Sequence, residues 1–354
     1  MSKTSSLLFL LFVVFTSCNS KTPVANKETV EPVAPVVVKD SFETGVVIPS
    51  IALRNNADET FALYLPKIFK DSINPHCIIF FDPHGDGAIP VEKYKALAEN
   101  KDFILIGSNF SRNENAFENN LKHAEHLTQE VITRLHPFNS QVNFCGFSGG
   151  AKVALTEGPW IEEVSHVIYT GAVIQPQKAN HAFKLLGIAG NRDMNYTDLV
   201  SFYKSSQGTP YAHDLIEWNG KHEWPDEKTF ANAFQFVLTG AIAYTSELQP
   251  KISNAEINRE QTNKQQLLQA FQSQDLNWWK QEIALFNTKK KTDAMYERLL
   301  GFVSLACYSY SNQSLQQNNL EAAEKILTIY ALADPGNKDC ETFMQELRRR
   351  TSGK

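Results

Sequence analysis

The chain has 354 residues, 42% hydrophobic and 21% charged, with a formal net charge of -5. That is ordinary globular material, long enough for one large domain and a smaller one, and it excludes a chain built around an extended basic surface, so no nucleic-acid partner is expected. The short Arg348-Arg349-Arg350 cluster ends a helix-like tail, where positive charge suits a helix C-terminus.

Lys3 precedes an apolar run, "LLFLLFVVF", from Leu7 to Phe15. It is too short to span a membrane and fits the core of a signal peptide. The run ends on "FTSC", Phe15 to Cys18, which resembles a bacterial lipobox. That resemblance implies cleavage before Cys18 and lipidation of its thiol, with residues 1–18 as the signal and a lipid anchor at the cell envelope. Phe15 stands where such signals usually carry leucine, so simple secretion with a free Cys18 stays open. Residues 19–43 are rich in proline and small or polar residues without amphipathic period, and read as an extended tether.

Residues 44–246 alternate strand-like and helix-like segments. "GVVIPSIAL" and "TFALYLP" open the series. "CIIFFDP", from Cys77, is a continuous apolar run, as expected of a strand covered on both faces. A helix is predicted over Val91 to Glu99, a strand over Phe103 to Ser108, and a long helix over Ala116 to Arg134. "QVNFCGF", "HVIYTGA", "FKLLGIAG" and "DLIEWNG" supply further strands, and a helix near Pro225 to Leu238 closes the series. Such alternation implies an α/β fold: a mostly parallel sheet with helices on both faces.

Residues 247–354 change character: strand signals stop, and Gln, Asn, Lys and Leu dominate. Leu268, Phe271, Trp279, Ile283 and Phe286 are predicted on one helical face, with a break at Ser273 to Asp275. Asn318-Asn319 and the "DPGN" of Asp334 to Asn337 punctuate two antiparallel helices that resemble a tetratricopeptide hairpin. One such repeat does not make a solenoid, so this small all-α region is expected to pack on the sheet domain or on a protein partner. The cysteines Cys77, Cys145, Cys307 and Cys340 match no metal motif, and no cofactor motif appears.

Four short stretches follow strand ends and carry the chemistry. "GFSGG" sets Ser148 between a strand and a helix, the setting a nucleophile elbow requires; the helix start, with the Gly149 amide, would face an oxyanion. "DPHGDG" places Gly85 and Asp86 in a glycine-rich loop suited to supply a second amide donor. His84 is read as a loop pin. "GNRDMNY" offers Asp193 as the carboxylate that orients a histidine; the same residue would serve as a helix N-cap, and Asp198 is a rival. "NGKHEWPDE" offers His222 in a loop, as a base or as a solvated surface residue.

The order Ser148, Asp193, His222 is that of nucleophile, acid and base in α/β-hydrolases, which this region resembles. "HGDG", "GFSGG" and "KHEWP" are similar to secreted esterases related to polyhydroxybutyrate depolymerases and feruloyl esterases. Lys221 replaces the glycine often found before the catalytic histidine, and "MNY" follows Asp193 where a valine is usual, so the substrate does not carry across. The resemblance implies a serine hydrolase acting without metal or cofactor, most simply on acyl esters of carbohydrates, phenols or small molecules. A peptidase, a thioesterase, or an idle scaffold whose tail recruits a partner are the alternatives. Only "VIQPQKANHA" separates two strands where lid domains usually enter, so no large lid is expected.

Overall fold

The computed structural model describes residues 41–70, 75–99, 101, 103–176, 181–208, 212–273 and 275–352. The leader, Cys18 and nearly all of the tether lie outside the described residues. In chain order the elements begin β1 (Val47–Ala52), β2 (Thr60–Tyr64), β3 (His76–Phe81), α1 (Ala88–Glu99), β4 (Phe103–Ser108), α2 (Phe117–Leu135), β5 (Val142–Phe147) and α3 (Gly149–Glu157). They continue β6 (Val164–Thr170), β7 (Lys184–Gly190), α4 (Tyr196–Ser205), β8 (Ala212–Trp218) and α5 (Glu227–Thr239). The tail carries α6 (Asn254–Ser273), α7 (Leu276–Lys289), α8 (Ala294–Gln316), α9 (Leu320–Ala333) and α10 (Lys338–Ser352).

The strands form one sheet in the order β1-β2-β4-β3-β5-β6-β7-β8. β2 pairs antiparallel with both β1 and β4, and every other pairing is parallel. The architecture is therefore the mostly parallel α/β sheet that the sequence implied, followed by an all-α region.

Period-two alternation explains why the inner strands read as unbroken apolar runs. On β3, Cys77, Ile79 and Phe81 enter one core with Leu127 and Val131 of α2 and Val153 of α3. Ile78 and Phe80 enter the other, with Tyr94 of α1 and Phe230 and Phe234 of α5. Tyr94 stacks on Phe230 at 3.8 Å between centroids. Both faces are thus covered by helices. α1 starts at Ala88, earlier than its apolar pattern predicted, because the turn at Asp86-Gly87 leads straight into it: the Ile89 amide donates to the Asp86 carbonyl.

The tail helices have their own core, centred on Trp279, Phe286, Leu299, Leu327 and Tyr330. α6 ends at Ser273 and Asp275 caps α7 by accepting from the Trp278 amide, so the predicted break is real. The predicted apolar face needs one correction. Leu268 is exposed, and Leu267, one residue earlier, is buried in its place. The segment joining sheet to tail and the first turn of α6 stay on the sheet: Ile242 and Leu248 pack on one core, Ile252 and, from α6, Ile257 on the other. Cys77, Cys145, Cys307 and Cys340 are buried free thiols.

Candidate active site

The sheet order reverses between β3 and β5: β3 leads to β4 on one side, and the chain returns to β5 on the other. Open α/β sheets bind ligands at such a switch point, beyond the carboxyl ends of the strands. The Asp82–Gly87 loop follows β3 and Ser148 follows β5, so both lie at this switch point.

Ser148 has φ 53° and ψ -119°, a conformation rarely adopted by a side-chain-bearing residue. Its surroundings impose it. The Ser148 amide donates to the Thr170 carbonyl at 2.9 Å, and the chain turns at once into α3. The two flanking glycines are demanded by close approach: a Cβ on Gly146 would lie 2.2 Å from the Gly150 carbonyl oxygen, and one on Gly150 would lie 1.9 Å from that of Phe81. The "GFSGG" pattern is therefore the steric signature of a tight strand-to-helix turn.

His222 comes from the loop after β8. Its Nε2 lies 3.0 Å from Ser148 Oγ, and its Nδ1 lies 3.1 and 3.0 Å from the two carboxylate oxygens of Asp193. An ionised carboxylate only accepts, so Nδ1 carries the proton and Nε2 is left to accept from the serine hydroxyl. Asp193 is 3% exposed, in the turn after β7. Its Oδ1 also accepts from the Asn195 amide at 2.8 Å, so it shapes the turn ahead of α4 as well as facing the imidazole. The rival Asp198 sits on α4, 3.6 Å from Lys264 Nζ. The imidazole rests against the Phe147 ring, 4.8 Å between centroids.

The loop after β3 refines the donor assignment. The Gly85 amide donates to the Asp82 carbonyl at 3.2 Å, closing a turn with Gly85 at φ 71°, so that donor is already engaged. Among the described residues, neither the Asp86 amide nor the Gly149 amide has an acceptor. His84 is 74% exposed and pairs loosely with Asp82, as a loop pin would.

Several residues that the sequence did not single out tie these loops together. Buried Asp82 accepts from the Trp224 indole N–H at 2.8 Å through Oδ2 and from the His84 amide at 2.9 Å through Oδ1, joining the histidine loop to the glycine-rich loop. Tyr94 Oη donates to the Pro225 carbonyl at 2.7 Å. Asn195 Nδ2 donates to the Gly171 carbonyl at 2.6 Å. The Asn113 amide donates to the Pro83 carbonyl at 2.9 Å, and its side chain lies so close to Gly149 that a Cβ there would meet Oδ1 at 1.8 Å. No local pattern records these contacts, and apart from Asp82 with His84 the partners come from separate loops.

No known family profile and no curated protein matches the chain. Solved structures similar to it include an esterase from Pyrobaculum calidifontis, 11% identical, with 57% of this chain and 87% of that one covered and a TM-score of 0.45. A thermophilic esterase from the planctomycete Thermogutta terrifontis is 13% identical, with 58% and 94% covered and a TM-score of 0.44. Est1E from Butyrivibrio proteoclasticus is 12% identical, with 54% and 98% covered and a TM-score of 0.43. Likeness this distant assigns no residue a role.

Proposed function

We propose that the chain is an exported serine hydrolase that cleaves acyl esters through Ser148, His222 and Asp193. The observation that carries this reading is the continuous hydrogen-bonded path from Ser148 Oγ through the His222 imidazole to buried Asp193, with the serine on a strained turn at a helix start.

In this reading the Ser148 oxygen attacks the ester carbonyl carbon while its proton passes to His222 Nε2. Asp193 holds the imidazole through Nδ1–H and stabilises the imidazolium. The carbonyl oxygen becomes an oxyanion, met by the Gly149 and Asp86 amides and by the positive end of α3. The tetrahedral intermediate collapses, the alcohol leaves with the proton held on Nε2, and an acyl-Ser148 remains. Water then gives a proton to Nε2, attacks the acyl carbon, and releases the acid, with the proton returned to Ser148.

The connection between β6 and β7 spans only residues 171–183. A short connection there supports an open crevice, suited to acyl groups projecting from carbohydrates or phenols and to small soluble esters. Lipidation of Cys18 would hold the enzyme at the envelope, with residues 19–43 as the spacer; one acyl chain anchors weakly and several anchor stably. A panel of nitrophenyl acetate, feruloyl esters and acetylated oligosaccharides tests the reaction class. Ester turnover with a pre-steady-state burst is expected. A protein that hydrolyses amides or thioesters but none of these esters would refute the esterase assignment while leaving the serine in place.

A further inference from the structure

The tail supplies none of the three reacting side chains, yet it grips the turn that carries Asp193. Arg298 of α8 donates from Nη1 to the Asn191 carbonyl at 2.7 Å. Lys264 of α6 donates from Nζ to the Met194 carbonyl at 2.6 Å and to Thr197 Oγ1 at 3.2 Å. Asn191 and Met194 bracket Asp193 in the sequence. The two cations are joined by Glu260, which is fully buried: its Oε2 accepts from Arg298 Nε at 2.9 Å and Nη2 at 2.7 Å, and its Oε1 lies 3.6 Å from Lys264 Nζ and accepts from Thr197 Oγ1 at 3.3 Å. Arg298 also lies over the Tyr196 ring. A second contact reaches the histidine loop, where Lys221, the residue before His222, pairs with Glu297 of α8 at 2.9 Å.

We infer that the Glu260–Arg298–Lys264 network positions the acid turn, so that the tail sets the orientation of Asp193 and, through it, of His222. The inference rests on the Ser148–His222–Asp193 reading and deepens it. Burying one anion and two cations is costly, and apolar side chains would attach a helix to a sheet at lower cost. What apolar side chains lack is directional donors. Here each cation gives one hydrogen bond to a backbone carbonyl of a short turn and is itself held by Glu260. A planar guanidinium held by Glu260 through two nitrogens has its third nitrogen aimed, which fixes the Asn191 carbonyl in direction as well as distance. Arg298, Glu260 and Lys264 are positioning residues: they touch the reacting atoms only through the turn they hold.

The test compares the full chain with Arg298→Met, Arg298→Lys and Arg350→Met. Arg350 of α10 donates to the Leu315 carbonyl near the C-terminal end of α8, about 25 Å along that helix from Arg298, and so reports what loosening the tail away from the acid turn does. Each protein is measured at a temperature where it is folded, for kcat and KM on nitrophenyl acetate, for the rate of Ser148 phosphonylation by a fluorophosphonate, and for the low-field proton signal of His222 Nδ1–H. For Arg298→Met, kcat and phosphonylation should fall roughly ten- to a hundredfold, the scale of a displaced catalytic group. KM should change little and the low-field signal should broaden or vanish. Arg298→Lys keeps the charge beside Glu260 and should recover part of kcat; it also serves if Arg298→Met does not fold. Arg350→Met should lower the melting temperature and leave kcat intact. Folded Arg298 variants with wild-type kcat, labelling rate and low-field signal would overturn the inference alone. A wild-type protein whose Ser148 does not react would overturn the triad reading, and the positioning role with it.

Discussion

Ser148 adopts a backbone conformation that costs about 1–3 kcal/mol, and the close contacts of Gly146, Gly150 and Thr170 hold it there. Those contacts are made by backbone, so Ser148→Ala should fold normally. Its ester turnover should drop by roughly four to six orders of magnitude, as in other serine triads. His222→Ala should be nearly as severe. Asp193→Asn should lose less, since it perturbs tautomer and orientation and removes no reacting group. Asp198→Asn should lose far less than Asp193→Asn, because that carboxylate reaches the site only through Lys264 and does not face the imidazole; steady-state kinetics on one ester compare all four. Gly150→Ala is different in kind. Its new methyl would collide with the Phe81 carbonyl, so stability should fall along with activity. Trp224→Phe removes the indole donor from buried Asp82 and leaves a carboxylate oxygen unpaired. It should cost roughly 1–3 kcal/mol in a urea titration and slow phosphonylation of Ser148 by loosening the histidine loop.

Two half-buried histidines in the strands set an acid limit. Burial pushes His213, in β8, down to about 4, and burial followed by the charge of Lys184 does the same to His166, in β6. Burial also lowers His123 on α2. A histidine lowered in the folded state contributes stability that is complete above the ordinary value of 6.5. Below it the unfolded chain binds protons that the folded chain cannot, and stability is lost until the folded group titrates near 4. The unfolding free energy read from urea titrations should therefore fall steeply between those two pH values, by up to about 3 kcal/mol for each of His166 and His213. His213→Gln should flatten that slope; an unchanged slope would mean the histidine is not buried neutral. The strands themselves were legible because a sheet covered on both faces leaves a plain mark, an unbroken apolar run closed by turn residues. The candidate triad was legible for a related reason: each member follows a strand end, and local chemistry selects serine in glycines, aspartate in a turn, histidine in a loop. Asp82 with Trp224, and Arg298 with Asn191, were not legible. Those pairs are 142 and 107 residues apart, and no local pattern records which backbone carbonyl a distant cation will reach. The exposed Leu268 has the opposite cause, since a one-residue rotation of a helix face lies within what periodicity resolves.

Sheet and tail belong to one compact unit from Asp40 onward, and the acid turn lies between them. A chain ending at Glu247 would bare Ile257's partners on the sheet and release the carbonyls of Asn191 and Met194. It should be less soluble, melt earlier, and label at Ser148 more slowly than the full chain. Labelling at the full rate would make the tail a separate module. Before the tether, Cys18→Ser should abolish incorporation of a fatty-acid analogue and free the protein from membranes; equal incorporation in both forms would exclude lipidation at Cys18. All of these outcomes depend on one serine being chemically distinct from the rest. The direct measurement is reaction of the intact protein with a fluorophosphonate, followed by digestion and mass mapping of the labelled peptide. A single label on Ser148 that disappears in His222→Ala is the expected result. No label, or a label on another serine that persists without His222, would contradict it.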